Sequence, residues 1–126
     1  MVRIAAALLV LWSLPAGALA DCKVHHGDHV VLYSTTDDPS VLLWDSRARL
    51  REYYGASFDE AHAMLPHAIL VAPGTHATVT SCTPNYVDSP ILEHPADALG
   101  VVITSGSNRG LMRWVLGSDV RREPRQ

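Results

Sequence analysis

The chain has 126 residues, ten of them Lys or Arg and 13 of them Asp or Glu, for a net charge of −3 with histidines neutral. That length makes one domain. The acidic balance and the lack of a basic stripe argue against nucleic acid and against an anionic membrane surface as partners.

The first twenty residues read as a cleaved signal peptide. Met1-Val2-Arg3 is a short positive start, Ile4 to Leu14 is an apolar run, Pro15 and Gly17 break it, and Ala18-Leu19-Ala20 is an A-x-A cleavage site. The run is too short to span a bilayer, and no later one is long enough. The expectation is a secreted or periplasmic protein with no membrane insertion after cleavage. Asp21 stands before Cys22, where lipid acylation would want a small residue. In an exported chain Cys22 and Cys82 then read as one disulfide, tying the mature N-terminus to the middle of the domain.

Strand signals begin at Val30-Val31-Leu32-Tyr33, after the turn signal His26-Gly27-Asp28, and return at Val41-Leu42-Leu43-Trp44. The period then changes. Leu50, Tyr53 and Tyr54 share one helical face, and Gly55 follows as a stop. Ser57-Phe58-Asp59-Glu60 matches a capping box, with Phe58, Ala61, Met64 and Leu65 continuing a helical face up to Pro66. Asp45 to Leu65 is therefore expected to be a helical excursion.

Strands resume at Ala68 to Ala72, turn at Pro73-Gly74-Thr75 and continue from Ala77 to Cys82. Thr83 to Pro95 carries three prolines and reads as a surface loop. Ala98 to Thr104 and Leu111 to Leu116 flank a hairpin loop at Ser105 to Gly110, and the charged stretch from Arg121 to Gln126 reads as a flexible tail.

Three stretches, "GDHVVLYS" (27–34), "VAPGTHATVTSC" (71–82) and "GVVITSGSNRGLMRWVLGSDV" (100–120), resemble a bacterial SH3-like domain of the SH3b type. Trp114-Val115 is similar to the closing strand of that family, with Arg113 standing where the family has Gly. The resemblance implies a mainly β fold over residues 21–120. It would be a small SH3-like barrel of five or six strands with a short helical insertion at about 45–65. It also implies a non-enzymatic binding module that recognises a cell-envelope peptide or protein. The tandem Trp pair of a polyproline groove is missing, so PxxP recognition does not follow.

The residues themselves offer two candidate sites. Arg47, Arg49 and Arg51 alternate beside Tyr53 and Tyr54, and Arg47, Arg51, Tyr53 and Tyr54 form a candidate contact surface. The competing reading puts the tyrosines in the core and leaves the arginines wet. His25, His26, Asp28 and His29 form the alternative, a zinc or copper site, since imidazole and carboxylate suit both ions. No catalytic set is expected. With both cysteines bridged there is no thiolate nucleophile, and the Ser105–Gly110 stretch is not G-x-S-x-G.

Overall fold

The computed structural model describes residues 22–36 and 38–124; the expected signal peptide lies outside the described residues. The chain runs β1 (His29–Leu32), β2 (Val41–Trp44), α1 (Arg47–Gly55), α2 (Phe58–Met64), a 3-10 turn (Leu65–His67), β3 (Ala68–Val71), β4 (His76–Val87), β5 (Ala96–Ile103), β6 (Met112–Leu116), a second 3-10 turn (Gly117–Asp119) and β7 (Val120–Arg122). All strand pairs are antiparallel, in the order β3-β2-β6-β5-β4-β1-β7. The sheet curls into a half-barrel of seven strands rather than a closed one of five or six. β3 and β7 stand at its two edges.

Alternation along the strands sorts side chains between two cores. Val41, Leu43, Leu99, Val101, Ile103 and Val115 point into the curl, with Val30, Leu32, Val79 and Val120. Trp44, Ala98 and Leu116 point to the outer face, where Leu50 of α1 and Met64 of α2 cover them. β2 is thus apolar on both faces, and so it reads as an unbroken Val-Leu-Leu-Trp. The helical excursion is the cover for that second core.

Local chemistry fixes the helices. Ser46 caps α1 by accepting from the Arg49 N–H at 3.1 Å. In α2 the capping box is complete: Glu60 N–H donates to the Ser57 hydroxyl at 3.3 Å, and Ser57 N–H donates to the Glu60 carboxylate at 3.0 Å. Phe58 departs from its expected place on the buried face. It is 85% exposed, because Met64 is the side chain of α2 that meets the sheet.

Two other expectations change. β4 runs on to Val87, through the first third of the expected loop. The expected tail gives up Arg121 and Arg122 to β7, which pairs Val30↔Arg122 and Leu32↔Val120. The Arg122 guanidinium sits 3.2 Å from the Asp28 carboxylate, and the Glu123 carboxylate meets His76. A charged sequence forms a strand here because its polar side chains hold it against β1 and β4.

Gly100 marks the closest backbone approach. A Cβ there would lie 2.7 Å from the Ser81 hydroxyl and 2.8 Å from the Met112 methyl. The register of β4 against β5 shifts between Val79 and Ser81, beside that glycine. Cys22 and Cys82 are joined, 60 residues apart, fastening the segment before β1 to the centre of β4. Replacing both cysteines with serine should lower unfolding stability by about 2–4 kcal/mol, since the unfolded chain loses a long closed loop. Denaturant titration of the double variant against its parent checks this.

Candidate functional site

The end of β4 bends before it reaches α1. The register with β5 is irregular between Thr83 and Val87, and Asn85 adopts a left-handed conformation at φ 51°. Asn tolerates that region better than most residues. The Asn85 N–H donates to the Asp97 carboxylate at 3.0 Å and holds the bend. The bend sets Tyr86 beneath the first turns of α1.

Two arginines of α1 lie over that ring. The Arg47 guanidinium is 5.0 Å from the Tyr86 ring centre and 5.7 Å from that of Trp114, and Arg51 is 4.8 Å from Tyr86. Arg47 also donates to the Thr83 hydroxyl at 2.8 Å. Each exposed cation–π contact contributes about 0.5–1 kcal/mol. Its larger effect is positional, because a guanidinium held over a ring still offers edge N–H groups to a carboxylate, in Arg47 those not given to Thr83. Arg49, the third of the series, is instead 3.2 Å from the Asp45 carboxylate.

The tyrosines separate from the arginines. Tyr53 packs 4.7 Å from the Trp44 ring, and Tyr54 meets Tyr53 edge-on at 5.1 Å. Both are half-buried in the outer core. Burial, joined by the Asp119 and Asp38 carboxylates, raises the Tyr54 phenol well above its usual range. Of the four residues expected to form a surface, Arg47 and Arg51 are exposed over Tyr86, and Tyr53 and Tyr54 lie in the outer core instead. Tyr86 and Trp114 take the expected place of the tyrosines. No sequence pattern ties Tyr86 to α1; only the bend at Asn85 does.

The imidazole cluster does not assemble. Among the described residues, the one group of three or more ligand-type side chains that converges is Cys22, Cys82 and Asp97, and its two sulfurs are bonded to each other. Asp28 is engaged elsewhere, accepting from the His25 N–H at 2.9 Å and from Arg122. His29 turns to the Thr78 hydroxyl at 3.2 Å. The turn at His26-Gly27 and the strand that follows set these side chains in different directions.

An open cleft between the ends of β1 and β7 is lined by Tyr33, Ser34, Thr35, Asp38, Pro73 and Arg121. The Arg121 guanidinium lies 4.1 Å from the Tyr33 ring centre. Thr35 donates its N–H and hydroxyl to Asp119, whose carboxyl burial raises despite those bonds. The cleft's lining holds one arginine, Arg121, and one carboxylate, Asp38, whereas Arg47 and Arg51 converge on one ring.

No family model, curated protein or solved structure matches this chain. Among the described residues, no helix is long and apolar enough to cross a membrane.

The His25 N–H, and then Arg122, hold the Asp28 carboxyl below its usual 3.8. A carboxyl lowered in the folded state stabilises the fold above its unfolded value and stops doing so as pH falls through its folded value. Asp28→Asn should therefore melt at a lower temperature than the parent at neutral pH. The two should converge as pH falls from neutral through and below the lowered value in the folded state. Thermal melts across the acid range read out both.

Proposed function

We propose that this chain is an exported, non-enzymatic binding module, of SH3-like type, that engages a cell-envelope protein or peptide through the Arg47–Arg51 face. The observation that carries this reading is the pair of guanidiniums stacked on Tyr86, with Trp114 beside them. Arginine and large aromatic residues are the side chains that concentrate binding energy at protein interfaces. Here they are already oriented, which lowers the ordering cost of binding. The chain is acidic overall, so a local pair of cations with no ion-pair partner among the described residues selects a partner that brings carboxylates to it. Export rests on the leader-like sequence of residues 1–20 and is consistent with the Cys22–Cys82 bridge.

A photo-crosslinking residue at position 48, exposed between the two arginines in sequence, tests the reading in intact cells. The expected product is a discrete adduct with one cell-envelope protein or peptide. In the Arg47→Ala/Arg51→Ala background the adduct should fall by about tenfold or more, the loss of two charge-assisted contacts. An adduct of equal yield in that background, with circular dichroism unchanged, overturns the assignment of the face.

A further inference from the structure

The two edges of the sheet differ in chemistry. The β7 edge carries Arg121 and Arg122 and is followed by Glu123 and Pro124, the charges and proline that discourage further pairing. The β3 edge is Ala68-Ile69-Leu70-Val71, with no charge and no proline, and Leu70 is 62% exposed. Such an edge offers its unpaired backbone groups to another strand.

The register defines which groups those are. β3 pairs with β2 as Val41↔Val71, Leu42↔Leu70, Leu43↔Ile69 and Trp44↔Ala68, and the Asp45 N–H donates to the His67 carbonyl at 3.1 Å. In an antiparallel ladder the hydrogen-bonded pairs alternate. His67, Ile69 and Val71 therefore turn their backbone groups to β2, and Ala68, Leu70 and Ala72 turn theirs outward. Two of these outward groups are already satisfied within the chain. The Ala68 N–H donates to the Leu65 carbonyl, and the Ala72 carbonyl accepts the Thr75 N–H at 3.2 Å and the Thr75 hydroxyl at 2.6 Å. Left over among the described residues are the Ala68 carbonyl, both groups of Leu70 and the Ala72 N–H.

We infer that this edge pairs with the β3 edge of a second copy of the chain, antiparallel about a two-fold axis at Leu70. In that register Leu70 N–H donates to the partner copy's Leu70 carbonyl, and the reverse bond forms too. Ala72 N–H donates to the Ala68 carbonyl of the other copy, again in both directions. Every leftover donor meets a leftover acceptor. The groups that face each other without bonding, Ala68 N–H and Ala72 carbonyl, are the two already satisfied internally. An ordinary peptide strand would bring a carbonyl and an N–H to those two positions and leave both wanting. The donor and acceptor pattern thus favours a second copy as occupant. The two exposed Leu70 side chains meet on the same face of the joined sheet. This interface lies apart from the Arg47–Arg51 face and does not depend on it.

Sedimentation velocity of the purified full chain across the micromolar range tests the pairing, alongside Leu70→Lys and Arg47→Ala/Arg51→Ala. A dimer is expected in the parent and in the arginine variant. Leu70→Lys should weaken it by about tenfold or more, because two like charges then stand directly opposite each other. Amide exchange of the parent supplies a readout that no variant can confuse: Leu70 and Ala72 N–H should gain protection as concentration rises. A monomer throughout, a dimer that survives Leu70→Lys, or a dimer in which those two amides stay unprotected overturns the inference. Binding of foreign strands by a monomeric parent would do the same.

Discussion

The double-sided burial of β2, β5 and β6 is the constraint from which the rest of this structure follows. A sheet that buried only the inside of its curl would leave Trp44, Ala98 and Leu116 wet. Burying a side chain of the size of Trp44 or Leu116 contributes about 1.5–3 kcal/mol, so the outer face needs a cover. The chain supplies it between β2 and β3, where α1 and α2 bring Leu50 and Met64 down onto that face. The insertion is therefore structural before it is anything else. Its position also dictates what surrounds it: the rim of the outer core is where α1 passes over Tyr86 and Trp114. The arginine face is a by-product of covering the second core, made available for contact because the guanidiniums of Arg47 and Arg51 lie over the Tyr86 ring on residues that stay exposed.

Legibility in the sequence tracked how local each cause was. The capping box at Ser57 and Glu60 needs four residues and no tertiary context, and it formed as read. The disulfide needed an even count of two and the leader-like sequence that precedes it. The helical excursion was visible because a period of 3.6 interrupts a chain otherwise rich in β-branched runs. What failed to show was anything decided by a partner distant in sequence. Phe58 satisfies the helical spacing as well as Met64 does, and only the direction of the sheet beneath chooses between them. Arg121 and Arg122 look like a solvated tail until Asp28, over ninety residues earlier, is found beside Arg122. Pro84 and Asn85 carry loop signals, yet the Asp97 carboxylate holds the bend and lets the strand continue to Tyr86 and Val87.

The candidate sites show the same division. His25, His26, Asp28 and His29 are close in sequence, yet among the described residues they do not converge. A turn followed by a strand points consecutive side chains apart, and the Asp28 carboxylate accepts from a backbone N–H and a guanidinium. Arg47 and Arg51, one turn apart on a helix, do converge. Helical spacing preserves a common face, whereas spacing across a turn does not.

The edges complete the reasoning from sheet to surface. A closed barrel removes the problem of unpaired strands; a half-barrel keeps it at two places. β7 handles its edge with charge and proline and with ties back to Asp28 and His76, which also hold the C-terminal strand in place. β3 cannot do likewise. Ile69 and Val71 are directed toward the inner core and Ala68 toward the outer one, so Leu70 is the one β3 side chain left to exposure. Position 70 could have carried a lysine at no cost to either core, and the chain places a leucine there instead. That leucine is the side chain that pairing of two β3 edges brings face to face.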